Sequence, residues 1–167
     1  MRKMTQANLE AAFAGESQAH MKYLIFAERA EREGFANIAR LFRAIAYAEQ
    51  VHATNHLRTL GNVGKTVENL EAAIAGETYE VEEMYPAFKA VAELQEEKAA
   101  YRSNDWAYEA EKIHAKIYSD AKVAAEAGKD AEIGDIYICP VCGWTGFGEP
   151  PDECPICKAK KSSFVKF

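Results

Sequence analysis

The first 138 residues of the chain contain no cysteine, and residues 5 to 127 contain a single proline, Pro86. A segment with neither cross-links nor proline breaks must be held together by packing long regular elements. No apolar run approaches the roughly 18 residues that a membrane span requires. The opening residues place Gln6, Asn8 and Glu10 where a secretory signal would be apolar. Positive charge is also short. The formal net charge is −6, and residues 135–167 hold four acidic and four basic side chains, so the whole excess of negative charge lies in the first part. Without a basic stripe or an aromatic ladder such a chain repels phosphate backbones, which excludes nucleic acid as a partner. The expectation is a soluble cytoplasmic protein. In that reducing compartment paired cysteines serve as metal ligands more often than as disulfides.

What the first part does contain is helical periodicity. Leu24, Ala27 and Ala30 recur at helical spacing, as do Ile38, Leu41, Phe42, Ile45 and Ala46. With Gly34, the Gly61-Asn-Val-Gly64 turn and Gly128 as stops, the pattern predicts helices over about 5–33, 36–60, 66–97 and 99–127. Long amphipathic helices bury their stripes most simply as a four-helix bundle. The helices also repeat. Gly15-Glu16-Ser17 corresponds to Gly76-Glu77-Thr78 at an offset of 61, and Ala48-Glu49-Gln50-Val51-His52-Ala53 to Ala110-Glu111-Lys112-Ile113-His114-Ala115 at an offset of 62. A duplicated helix pair carries any site twice. After a polar linker, Lys129 to Asp135, the prolines 140, 150, 151 and 155 and glycines 143, 146 and 148 exclude helix. The expected organisation is a bundle over residues 1–130 and a small loop-rich domain over 135–167.

Glu49 and His52 share one helix face about a turn apart, and so do Glu111 and His114. Glu16 and Glu77 hold matching places on the other two helices, with Glu80 one turn beyond Glu77. One Glu from each of two helices and a Glu-x-x-His from each of the others is the ligand arrangement of ferritin-like di-iron and di-manganese bundles, a pattern already described for that class. Two divalent cations among helices need oxygen donors to neutralise them, with Glu49 and Glu111 placed to bridge and an imidazole at each end. Mixed carboxylate and imidazole ligation suits iron or manganese; zinc binds such a set but does no redox work. A single Glu-x-x-His reads as a solvated surface pair, whereas two copies in register, each preceded by Gly-Glu, read as a ligand set. Gly15 and Gly76 mark positions where either a ligand or a neighbouring helix approaches closely. Tyr23 and Tyr85 lie near the same face, supporting ligands or filling core. His20, His56 and Glu83 are taken as structural or solvent-facing.

Cys139-Pro-Val-Cys142 and Cys154-Pro-Ile-Cys157 form two tight loops that together present four thiolates in a tetrahedral cage. The spacing is specific for a metal and leaves zinc and iron open.

Taken together, Gly15-Glu16-Ser17-Gln18-Ala19, Ala48-Glu49 with His52, Gly76-Glu77 with Glu80 and Met84-Tyr85-Pro86, Glu111 with His114, and Tyr137-Ile-Cys139-Pro-Val-Cys142-Gly143 resemble the rubrerythrin family over essentially the whole chain. The resemblance implies a ferritin-like bundle holding two irons, a rubredoxin-like tail holding a third, and reduction of hydrogen peroxide to water. By that analogy Glu49 and Glu111 bridge, Glu16 serves one iron, Glu77 and His114 serve the other, and the first iron takes His52 or Glu80 according to its oxidation state. It further implies a homodimer, with electrons drawn from NAD(P)H through a donor such as rubredoxin and a separate reductase, and with zinc or manganese able to substitute for iron.

Geometry adds a constraint. Glu111 lies sixteen residues before Ala127, so the site is about 24 Å along the helix from the start of the tail. The linker spans at most about 25 Å, so the tail either folds back along its own bundle or reaches another subunit, and the resemblance implies the second. Two other functions share parts of this pattern. A ferritin-class ferroxidase would use the bundle ligands and form a hollow shell, and a docking protein with a zinc ribbon would be colourless.

Overall fold

The computed structural model describes residues 1–167. The chain divides into two compact units, Met1–Gly64 and Lys65–Phe167. No helix is long and apolar enough to cross a membrane.

The first unit is a helical hairpin of α1 (Lys3–Arg32) and α2 (Ala36–Leu60). The turn between them is made by Gly34 at φ +86°, beside which Phe35 N–H returns to Ala30 O at 2.8 Å. The buried residues are alanines: Ala27 and Ala30 on α1, and Ala39, Ala46 and Ala53 on α2, the last three at intervals of seven, or two helical turns. Small side chains along one stripe let the helices approach closely, and a larger one there costs about 1–3 kcal/mol through overpacking. Gly61, at φ +78°, closes α2, with Asn62 N–H bonded to Leu57 O in the usual left-handed helix cap.

In the second unit, α3 (Thr66–Tyr79) runs through a π-helical turn, Glu80–Met84, into α4 (Tyr85–Leu94), and α5 (Lys98–Glu126) follows. At the start of α3, Lys65 N–H donates to the Glu68 carboxylate at 2.6 Å. The expected helix over 66–97 thus exists with two differences. Tyr85 N–H reaches back five residues to Glu80 O, and this wider turn stands immediately before Pro86. Proline in a regular helix would lack one N–H and clash with the carbonyl four residues earlier, and widening the turn relieves both. The helix also ends earlier, at Leu94, through Glu96 in the left-handed region at φ +58° and Glu97 N–H bonded to Ala92 O. A glutamate performs the turn that glycine usually makes.

The same unit ends in a three-stranded antiparallel sheet in the order β2-β1-β3, from β1 (Ile136–Ile138), β2 (Thr145–Phe147) and β3 (Val165–Lys166). Register pairs Tyr137 with Gly146 and Ile138 with Thr145 on one side, and Ile138 with Val165 on the other. Gly146 is required sterically, because a Cβ there would overlap the Trp144 indole, which stacks edge-on to Phe164 at 5.4 Å. Each Cys-x-x-Cys knuckle is followed by a residue of positive φ, Gly143 at +83° and Lys158 at +64°.

Candidate metal centres

On the hairpin of the first unit, Glu16 from α1 meets Glu49 and His52 from α2. Their candidate ligand atoms lie within 4.8 Å of one another, with His52 Nδ1 3.0 Å from Glu49 Oε2 and 3.7 Å from Glu16 Oε1. In the second unit Glu77 from α3 meets Glu111 and His114 from α5 in the same way, and His114 Nδ1 lies 2.5 Å from Glu111 Oε2. Two donors about 2.1 Å from one ion are at most about 4.2 Å apart, so each trio needs only slight closure to share a cation.

Glu80, at the start of the π turn, joins the second trio. Burial, then a hydrogen bond and charge from Glu111, then Glu80 itself push the Glu77 carboxyl up from 4.5 to about 7. Glu80 is raised too, by burial and then by the charge of Glu111. A cation would relieve carboxylates that resist ionising together, and the two carboxylate and imidazole sets fit divalent iron, manganese or zinc.

The tyrosines differ. The Tyr85 hydroxyl is held protonated by burial and by the neighbouring charges of Glu80, Glu111 and Glu77, which puts it beside the ligands. Tyr23 packs its ring against Phe26 and Phe42, with centroids 6.3 and 6.1 Å away. His20 donates Nδ1–H to Ala46 O at 2.8 Å, tying α1 to α2 as a structural residue would. Glu83 is exposed and His56 half-buried. A Cβ added at Gly15 or Gly76 would meet nothing within 4 Å, so the close approach expected there is absent within each unit.

The four cysteines converge. Cys139 and Cys154 are fully buried, and the sulfurs pair at 3.5 Å for Cys139 with Cys157 and 3.5 Å for Cys142 with Cys154. A tetrahedron whose centre lies about 2.3 Å from each sulfur has edges of about 3.8 Å, so the cage fits one thiolate-bound metal. Burial pushes the Cys142 and Cys157 thiols up. At Cys154 burial acts the same way but is outweighed by the backbone N–H groups of Cys157 and Ile156, which favour thiolate.

Two family profiles match the chain. One, described as rubrerythrin, covers residues 7–122, and the other, the rubredoxin-like domain of rubrerythrin, covers residues 137–165. The chain belongs to the rubrerythrin family. Among its relatives are rubrerythrin-2 of Clostridium acetobutylicum, 48% identical over 98% of this chain and 97% of the relative, and nigerythrin of Nitratidesulfovibrio vulgaris, 34% identical over 98% and 86%. Solved nigerythrin structures match the fold. A partially reduced form gives a TM-score of 0.58 at 34% identity, and one described as fully reduced and all ferrous gives 0.57 at 32%, each covering 98% of this chain and 86% of the other. The fold class is therefore that of the family: mainly α, a ferritin-like four-helix bundle with a small rubredoxin-like domain.

One residue beside these sites was missed in the sequence. The rubredoxin-like segment folds back onto α5 of its own chain, the first of the two routes that chain geometry allows. Gly143 faces Ala110, and Thr145 Oγ1 lies 2.8 Å from His114 Nε2. Thr145 carries no motif, and only this packing brings it to His114.

Proposed function

We propose that the chain is an iron-dependent peroxide reductase. Its two trios, with Glu80, would hold a pair of irons, with Glu49 and Glu111 as the shared carboxylates, Glu16 serving one ion, Glu77 and His114 the other, and His52 or Glu80 completing the first. A ferrous pair bound there would supply the two electrons that, with two protons from solvent, turn one hydrogen peroxide into two waters. The Tyr85 hydroxyl, beside Glu80, Glu111 and Glu77, would hydrogen-bond and orient the ligand carboxylates, a role assigned also to Tyr23 at the matching repeat position of α1 although its ring packs on Phe26 and Phe42. The cysteine cage would hold a third iron, supplying single electrons drawn from NAD(P)H through a donor such as rubredoxin and a separate reductase. The working protein is a cytoplasmic homodimer, with residues 1–130 as the bundle and 135–167 as the rubredoxin-like domain.

The observation that carries this reading is the pairing, in one chain, of two carboxylate and histidine trios with a four-thiol cage. Iron storage uses the trios but has no need of a soft redox centre on every chain. Iron is favoured over zinc and manganese because a relative spanning the whole chain has an all-ferrous state. The test is anaerobic addition of hydrogen peroxide to the iron-reconstituted, chemically reduced chain. One peroxide is consumed per bundle pair and a further half per cage, whose red ferric absorbance then returns. Absence of consumption refutes the proposal.

A further inference from the structure

Thr145 is the one polar side chain in the buried set, 8% exposed, and its surroundings are apolar: Ile117, Ile136, Ile138 and Phe147 line a cavity of about 400 Å³ beside it. A buried hydroxyl must find partners, and this one has two. Its Oγ1 lies 3.2 Å from Gly143 O, to which it donates, and 2.8 Å from His114 Nε2. A hydroxyl has one proton to give. With that proton directed to the Gly143 carbonyl, Thr145 offers His114 a lone pair, and Nε2 must carry the ring proton. In the neutral ring Nδ1 is then the bare nitrogen, and it lies 2.5 Å from a Glu111 carboxylate oxygen. Two lone pairs at that distance repel unless a proton or a metal ion is shared between them, so with Nε2–H held by the threonine it is Nδ1 that can give up a proton and accept a metal.

The same hydroxyl sits at the end of a continuous connection from the cysteine cage. Cys139 N–H donates to Trp144 O at 2.8 Å, the next residue is Thr145, and its Oγ1 accepts from His114. Between the Cys139 sulfur and the imidazole there are only covalent bonds and two hydrogen bonds. Gly143, whose added Cβ would stand 3.8 Å from that of Ala110, keeps the knuckle close to α5 one turn before His114.

We propose that Thr145 is a positioning residue for the carboxylate and histidine site: it accepts from His114 Nε2–H, fixes the tautomer that presents Nδ1 to metal, and links the cage to that ligand. This rests on the proposed function insofar as the two centres work together. Partners of metal-bound histidines are typically worth 10–100-fold in metal affinity.

The test uses the full chain loaded with zinc(II), which is diamagnetic, in wild type and in Thr145→Val, Thr145→Ala and Thr145→Ser. Nitrogen-15 NMR of labelled histidine, assigned by comparison with His114→Gln, reads the ring protons, and zinc binding isotherms read affinity at the carboxylate and histidine site. Wild type and Thr145→Ser should show a slowly exchanging His114 Nε2–H, while Val and Ala lose its protection and bind zinc there 10–100-fold more weakly, with zinc still held by the cysteines. An unprotected Nε2–H in wild type overturns the proposal without any variant, and so does unchanged affinity in Thr145→Val or Thr145→Ala. If the Val and Ala variants fail to hold zinc in the cage, the wild-type signal and its retention in Thr145→Ser decide. Zinc protein cannot reduce peroxide, so a chain that passes here yet consumes no peroxide would remove the proposed function and leave the role of Thr145 standing.

Discussion

Replacing Glu77 by Gln should remove a pH dependence of stability that the metal-free protein carries. In the folded chain Glu77 keeps its proton up to about 7, against 4.5 ordinarily, because it is partly buried and faces Glu111 and Glu80. Each tenfold change in proton affinity is worth about 1.4 kcal/mol. The full difference from 4.5 to about 7 corresponds to ~3 kcal/mol, which solvent around this half-buried carboxyl reduces to ~1–2 kcal/mol. The folded state binds the proton more tightly than the unfolded one, so this contribution is fully present below pH 4.5 and is lost as pH rises through about 7. Urea unfolding of metal-free chain, followed by helical circular dichroism at pH 5, 6, 7 and 8, should show the wild type losing ~1–2 kcal/mol over that range relative to Glu77→Gln. The comparison with the variant cancels histidines and other groups that titrate in both. Equal pH profiles for the two proteins would refute the reasoning, as would a wild type that gains stability relative to the variant toward pH 8.

Glu111→Ala should abolish peroxide turnover while leaving the red absorbance of a ferric cysteine cage intact; turnover at the wild-type rate would mean that Glu111 is no bridge. Cys142→Ser should stop steady turnover from NAD(P)H yet spare a single reaction of chemically reduced protein, and loss of that single reaction would rule out a pure relay role for the cage. Gly146→Ala should push the Trp144 indole off the strand and cost about 1–3 kcal/mol, as overpacking does. Faster release of cage metal to a chelator reads that loss, and an unchanged release rate would show that the indole moves aside freely.

Much of this was legible in the residues because the ligand chemistry is written in short local spacings. Glu-x-x-His puts two donors on one helix face wherever that helix packs, and Cys-x-x-Cys makes its knuckle from local backbone alone. The π turn had a signal too. The repeat offset is 61 at Glu16 and Glu77 but 62 at Glu49 and Glu111, and Tyr23 and Tyr85 also stand 62 apart. One residue was therefore gained between Glu77 and Tyr85, and the wide turn at Glu80–Met84 is where the helix absorbs it. Glu96 had no such signal, since a non-glycine in the left-handed region is held there by its surroundings rather than by its own preference. Thr145 lay beyond reach for the same reason. Its partner, His114, is 31 residues away, and only the return of the tail along α5 joins them.

That return ties the two kinds of site into one thermodynamic unit. Helix α5 carries Glu111 and His114 on one side of a contact whose other side, Gly143 and Thr145, belongs to the first cysteine knuckle. The two knuckles have little apolar core of their own, with Cys139 and Cys154 their only buried apolar side chains, so a metal on the thiolates would supply much of their folding free energy. The carboxylates behave in the opposite way. Without a cation they destabilise the helices that hold them, as the raised Glu77 carboxyl records. On the proposed roles, a metal in the cage would order Thr145, which would favour the His114 tautomer suited to a second metal, and that metal would in turn relieve the repulsion among Glu77, Glu80 and Glu111. By linkage the effect would run equally in reverse, so filling one centre would favour filling the other.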